Sequence, residues 1–291
     1  MFGPDGICIV DDIRNFNRCV FRFSFFIFPI FRSFAFCTKL DWYRKKFCIF
    51  IQDLLDAIDP TTSVVTFGAV QYATGSQIEV RRVAARAHDA GARVVVDATQ
   101  IAGAGPVDMN RWGVDAVVTS GYKWLSGHGG VALLAVAPDL RDRLPQLVGW
   151  KGTNDPFAFD ARTLGLADDA RRFELSTMSY ASVVGLESSM AILSSAGFDR
   201  IRQHATNLAA QLIGGVAGLG WRPFRELGDP GASPHVVSLR HARHRPDITA
   251  ARLASDHRIV CGGRGDGLRI SLHAYNDEAD VDRLIESLRE T

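Results

Sequence analysis

Two residues stand where they could share work on a carbonyl-bearing cofactor. Asp97 closes the apolar run that begins at Val94, in Val94-Val-Val-Asp97-Ala-Thr-Gln100. Lys123 follows a second apolar run, Val114 to Val118, in Thr119-Ser-Gly-Tyr-Lys123-Trp-Leu-Ser-Gly-His-Gly-Gly130. In an open α/β sheet, ligands bind beyond the carboxyl ends of the strands. An acid and an amine, each just past a buried strand, are therefore expected in one crevice. The amine can hold an aldehyde as a Schiff base, and the acid can hold a ring nitrogen. Together they suit pyridoxal phosphate (PLP).

The surrounding pattern supplies the elements that would position the pair. Ile51 to Ile58 has helical spacing and stops before Pro60. Ser63 to Gly68 reads as a strand. Gln77 to Ala90 reads as an amphipathic helix, with Val80, Val83, Ala84 and Ala87 on one face and Gly91 as its stop. Arg93 to Val96, Val114 to Val118 and Val131 to Val136 read as buried strands, and Pro106 to Trp112 as a short helix. This alternation predicts an α/β fold with a mainly parallel sheet flanked by helices. Tyr180 to Leu219 reads as helical with a break near Gly197. Beyond Trp221 and Pro223, strands at His235–Arg240 and Leu268–His273 and helices at Ile248–His257 and Glu278–Leu288 predict a small C-terminal α+β domain. Arg258 to Cys261 reads as a further strand. The expected domains are 51–221 and 222–291, preceded by an atypical segment, 1–50.

Composition narrows the class of function. The chain has 291 residues, 47% hydrophobic and 22% charged, as in a globular protein with a sizeable core. Lys+Arg total 33 and Asp+Glu 32, so the net charge of +1 gives no electrostatic reason to expect nucleic acid or an anionic membrane as partner. The cysteines, Cys8, Cys19, Cys37, Cys48 and Cys261, show no CxxC pair, which argues against a zinc site. Their odd, sparse number suits a reducing compartment, and a cytoplasmic location is expected.

Residues 1–50 differ from the rest. They hold 12 of the 18 phenylalanines, densest in Phe21-Arg-Phe-Ser-Phe-Phe-Ile-Phe-Pro-Ile-Phe-Arg32. Arg22 and Arg32 bracket a run far shorter than the roughly 20 apolar residues of a membrane span. Asp5, Asp11 and Asp12 stand where a secretory signal would be basic. The segment is read as foreign to the rest of the fold, with a hydrophobic arm that packs on a partner subunit as the alternative.

Five stretches in order resemble the class V aminotransferase-like enzymes of PLP fold type I, a group that includes cysteine desulfurases, isopenicillin epimerases and kynureninases. They are Thr66-Phe-Gly-Ala-Val-Gln71-Tyr-Ala-Thr-Gly75, Val96-Asp97-Ala-Thr-Gln100, Ser120-Gly-Tyr-Lys123-Trp-Leu, Arg172-Phe-Glu-Leu-Ser-Thr177 and Leu268-Arg269-Ile-Ser-Leu-His-Ala-Tyr-Asn276. The resemblance runs from about residue 52 to the C-terminus.

It implies a role at each matching position. Lys123 would link covalently to the cofactor and then serve as base. Asp97 would pair with the protonated ring nitrogen, and Gln100 would bond the ring hydroxyl. Thr99 would pack near the ring face. Ser120 and Tyr122 would donate to the phosphate, and Thr177 would reach the phosphate of a neighbouring subunit in a homodimer. Arg269 would bind the carboxylate of an amino-acid substrate, a two-pronged contact that suits a guanidinium. Gln71 would face the substrate or the ring hydroxyl. His128 and His273 read as structural.

The resemblance also implies a reaction at the substrate α-carbon: transamination, epimerisation or elimination with C–S cleavage. Two features depart from the family pattern. Residues 1–50 show neither the small-residue loop that would cradle the phosphate nor a recognisable ring-stacking aromatic, so a catalytically silent, truncated relative is the alternative expectation. Cys261 is read as a buried small residue rather than the loop nucleophile of a desulfurase.

Overall fold

The computed structural model describes residues 7–11, 51–160 and 162–290. Apart from a strand at Ile7–Asp11, the reading of residues 1–50 lies outside them.

The first unit is a five-stranded sheet in the order β1-β5-β4-β3-β2. Its strands are β1 (Ile7–Asp11), β2 (Val64–Gly68), β3 (Arg93–Asp97), β4 (Ala116–Ser120) and β5 (Val131–Val136). β2, β3 and β4 run parallel, as the alternating pattern predicts. β5 runs antiparallel to β4, and β1 antiparallel to β5. The reversal has a simple cause: no helix lies between Ser120 and Val131 to carry the chain back across the sheet, and a parallel pair needs such a crossover.

The helices of this unit are α1 (Ile51–Asp56), α2 (Val80–Asp89), α3 (Met109–Trp112), α4 (Pro138–Arg141), α5 (Tyr180–Ala196) and α6 (Phe198–Val216). α2 buries the four residues expected of it: Val80, Val83, Ala84 and Ala87. They pack with Val94 and Val96 of β3 in one core. α3 starts at Met109 rather than at Pro106, because the Asp108 carboxylate caps it by accepting from the Arg111 N–H at 2.9 Å. Gly113, at φ 67°, ends it in the left-handed region. Beside this core, Asp115 is 4% exposed and accepts from Arg93, the Val94 N–H and His88. Burial raises its pKa, but those hydrogen bonds outweigh burial and hold the carboxyl below its ordinary range. Asp115 is thus a fully satisfied structural acid.

The second unit is a four-stranded antiparallel sheet in the order β6-β7-β9-β8. Its strands are β6 (Arg222–Pro223), β7 (Val236–Arg240), β8 (Gly262–Arg264) and β9 (Gly267–Ser271). Helices α7 (Pro246–His257) and α8 (Glu278–Glu290) cover it. Leu208, Leu212 and Val216 of α6 join Leu239, Leu268 and Leu284 in its core, so α6 spans both units. The strand expected at Arg258–Cys261 is absent. Arg258 caps α7 in the left-handed region at φ 56°, and pairing begins only at Gly262.

The units meet along a tight seam. A Cβ on Gly75, whose φ is 70°, would sit 1.9 Å from the Val236 carbonyl oxygen, so only glycine allows this approach. Among the described residues, no single helix is long and apolar enough to cross a membrane; α5 and the helical stretch after Gly197 are bent 74° apart.

Candidate active site

Asp97 ends β3 and Ser120 ends β4. The ladder aligns Asp97 with Val118, so β4 reaches two residues further towards the crevice. Lys123 follows in a tight turn, closed by the Ser126 N–H donating to the Lys123 carbonyl at 2.8 Å. The turn returns to the sheet through the Gly121 N–H bonded to the Val131 carbonyl. A Cβ on Gly121 would lie 2.8 Å from Val131 and 3.0 Å from Leu186, which explains the glycine.

Asp97 and Lys123 lie near enough for the charge of each to act on the other. Desolvation pushes the Asp97 carboxyl up, opposed by hydrogen bonding from Thr99 and by the charge of Lys123. Its described hydrogen-bond partner is Thr99, whose N–H donates at 2.8 Å. Desolvation pushes the Lys123 amine down; Asp97 opposes this, and Arg269 adds to it. A depressed amine is a better nucleophile near neutral pH. A buried carboxyl with one N–H donor has unused acceptor capacity, which a cationic ring N–H would satisfy.

Ser120 is 1% exposed, and its Oγ has no hydrogen-bond partner. An orphan hydroxyl at a strand end beside a lysine fits a ligand oxygen such as a phosphate's. The Thr99 Oγ1 accepts from the Ser120 N–H at 3.1 Å, so Thr99 ties the ends of β3 and β4 together. Gln100 accepts from the Trp124 indole N–H at 3.0 Å. Because an indole only donates, this fixes Oε1 on Trp124 and leaves the Gln100 amide N–H groups free to donate, as a ring hydroxyl oxygen would need. Tyr122 is 44% exposed, with its ring centroid 5.9 Å from Lys123 Nζ.

Arg269 comes from β9 of the second unit. Its Nη1 donates to the Tyr72 carbonyl at 3.2 Å, while its buried Nε has no partner. Gln71 arranges that carbonyl: its Oε1 accepts from the Ala73 and Thr74 N–H groups at 2.5 and 2.9 Å. Gln71 is therefore an organiser of the turn that holds Arg269. Thr177 is exposed just before α5 and makes no described hydrogen bond to the Asp97–Lys123 cluster. Cys261 is half-buried, and burial pushes its thiol up to about 11. Such a thiol is protonated near neutral pH and lacks thiolate reactivity.

The structure adds a clamp that sequence reasoning missed. Trp124, next to Lys123, is 6% exposed and stacks on His273 at 5.3 Å, which stacks on Tyr275 at 4.6 Å. His235 meets the Trp124 ring edge-on at 4.6 Å and bonds the Gln100 carbonyl through Nε2 at 2.5 Å. His273 Nε2 bonds the Trp124 carbonyl at 2.9 Å. The second unit thus grips the lysine turn through two histidines more than 100 residues away in sequence. In the sequence His273 reads as structural, but its partners are not legible there.

The clamp carries a pH signature. His235 is fully buried, and desolvation is the main reason its pKa falls from 6.5 to about 4. Between those values the unfolded chain binds a proton that the folded chain refuses. Stability is therefore complete above about pH 6.5 and falls as pH drops towards 4, by at most about 3 kcal/mol. Urea midpoints measured from pH 7 to pH 4 should fall in the parent more steeply than in His235→Gln. Parallel curves would remove His235 as the cause.

The chain matches the family model for aminotransferase class-V over residues 43–284. It is 29% identical over 220 residues to an uncharacterised aminotransferase, YcbU, of Bacillus subtilis, covering 75% of this chain and 57% of that protein. It is 30% identical over 196 residues to a kynureninase of Bacillus anthracis, covering 65% and 46%. Its fold matches an apo cysteine desulfurase from Thermococcus onnurineus NA1 with a TM-score of 0.80 at 22% identity, covering 98% of this chain and 79% of that one. The chain spans about half the length of the curated relatives it matches. With the family model covering most of its length, and with the mixed α/β fold of PLP fold type I, the chain belongs to the aminotransferase class-V family.

Proposed function

We propose that this chain carries out PLP-dependent chemistry at the α-carbon of an amino acid, of the transamination, epimerisation or elimination type. The observation that carries this reading is the pairing of Asp97 and Lys123 at the carboxyl ends of adjacent parallel strands, both desolvated and each within reach of the other's charge. When bound, PLP supplies an electron sink for the pair of electrons left at the α-carbon.

The chain's own residues do the remaining work. Lys123 Nζ anchors the cofactor aldehyde and, once displaced by substrate, accepts or returns the α-proton. Asp97 holds a negative charge against the ring nitrogen. Gln100 donates towards the ring hydroxyl, and Ser120 and Tyr122 donate towards the phosphate. Arg269 grips the α-carboxylate through the edge that carries its unpartnered Nε. The high pKa of Cys261 argues against its use as a sulfur-accepting nucleophile. A homodimer is part of the same reading, with the exposed Thr177 directed at the neighbouring subunit's phosphate.

The test is a PLP titration followed by borohydride reduction and peptide mapping. A stable adduct on the Lys123 peptide is expected. Its absence sinks the reading. Cysteine, alanine and kynurenine are the first substrates to offer.

A further inference from the structure

Arg269, whose charge acts on Lys123, has a second cation beside it. β8 and β9 form a hairpin in which Gly262 lies opposite Arg269 and Arg264 lies opposite Gly267. A Cβ built on Gly262 would come within 3.7 Å of Arg269 Nη2, 3.8 Å of Arg269 Nε and 3.8 Å of the Arg264 guanidinium carbon. Two guanidinium groups therefore border one small space that the missing side chain of Gly262 leaves open. The edge Arg269 presents to it, Nε with Nη2, is the one that can take a carboxylate in a two-pronged grip.

Neither cation has a described acidic partner. The hairpin's own acid, Asp266, is turned to Arg240, 2.8 Å away. Arg264 donates to the Gly263 carbonyl at 3.0 Å, its one described side-chain bond. Like charges this close repel unless an anion lies between or beside them. They also differ in depth: Arg269 is half-buried and Arg264 is exposed. One monoanionic carboxylate would leave a net positive charge over the Gly262 space. A ligand with two carboxylates would neutralise both arginines, one group on the deeper cation and one on the outer.

We propose that Arg264 is a specificity-determining residue that, with Arg269 across Gly262, selects amino acids whose side chain ends in a second carboxylate, of the aspartate or glutamate class. This rests on the reading of Arg269 as the α-carboxylate grip, but not on bound PLP. In it Arg269 takes the α-carboxylate and Arg264 the distal one.

The test uses succinate as dianion and propionate as monoanion, titrated calorimetrically into the PLP-free full chain. Succinate should bind about 10-fold to 100-fold more tightly than propionate, the range of one further charge-assisted contact. Arg264→Gln should abolish that preference and leave propionate unchanged, while Arg269→Gln should weaken both. Arg264 is exposed, and circular dichroism checks that the variant folds. On the PLP-loaded protein, Arg264→Gln should lower kcat/KM for aspartate about 10-fold or more relative to alanine. Three outcomes overturn the proposal: no succinate preference in the parent, a preference that survives Arg264→Gln, or an equal loss of propionate binding, which would mean that both arginines share one carboxylate. If borohydride fixes nothing to Lys123 but Arg264→Gln still abolishes the preference, the PLP reading falls and the two-arginine anion site stands.

Discussion

Lys123→Ala should abolish borohydride fixation of PLP and lower turnover by at least about 1,000-fold. On the proposed function, the size follows from losing both the covalent anchor and the base, since a positioned proton-transfer group alone contributes about 100-fold to 10,000-fold. Two features make Lys123 suited to both tasks. Desolvation depresses its pKa, with Arg269 adding to the effect, so the amine is neutral more often than a surface lysine's. Its turn is held from both sides, by the Gly121 N–H on Val131 and by His273 on the Trp124 carbonyl, so Nζ works from a fixed base. The substitution should cost little stability, because it removes a partly desolvated charge and no described side-chain hydrogen bond. The check is single-turnover kinetics beside a urea midpoint. Turnover within about 10-fold of the parent would remove Lys123 from the mechanism. A collapsed midpoint would make it a structural residue instead.

Asp97→Asn should lower turnover by about 100-fold or more while leaving Lys123 able to form its adduct. The two effects separate because, on the proposed function, Asp97 supplies charge to the ring nitrogen and not a bond to the aldehyde. Asparagine can still accept from the Thr99 N–H, which occupies Asp97 Oδ1 at 2.8 Å, so the turn beyond β3 should persist. It cannot carry the negative charge.

A pH dependence accompanies this variant. Burial raises the Asp97 pKa above the ordinary carboxylate value, and Thr99 and Lys123 only partly offset it. As pH falls towards that raised value, Asp97 takes up a proton and its hold on a cationic ring weakens. The parent should therefore lose PLP affinity on acidification above the usual carboxylate range, and Asp97→Asn should show a flatter profile. PLP fluorescence titrations at a series of pH values measure both. Superimposable profiles would show that Asp97 does not face the ring nitrogen.

These two residues were legible in the sequence because each is announced locally. A buried parallel strand is a short apolar run, and the residue just past its end points into the crevice whatever the rest of the chain does. The same logic gave β2, β3 and β4, while α2 was legible from its helical period and Gln100 and Ser120 were named only through the family resemblance. The small-unit strands β7 and β9 and the break at Gly197 were legible from period and punctuation. The direction of β5 was not read, since an apolar run carries no sign of which way it runs; only the missing crossover helix decides it. The expected strand at Arg258–Cys261 failed for a related reason. Its residues are apolar enough, but Arg258 is spent capping α7, and the neighbour that pairs with β9 begins at Gly262.

By itself the sequence determined the family, the mixed α/β fold and the Asp97–Lys123 pair, because strand ends, helical faces and motif order are properties of neighbours along the chain. The tertiary structure alone decided what holds and tunes that pair. The Trp124 clamp by His235 and His273, the role of Gln71 in fixing Arg269 through Tyr72, and the nearness of Arg264 to Arg269 all join residues from different units or from opposite strands of a hairpin. The first two arise only when the two sheets close on each other and the third when β8 folds back on β9, and the burial that results shifts the pKa values of Asp97, Lys123 and His235.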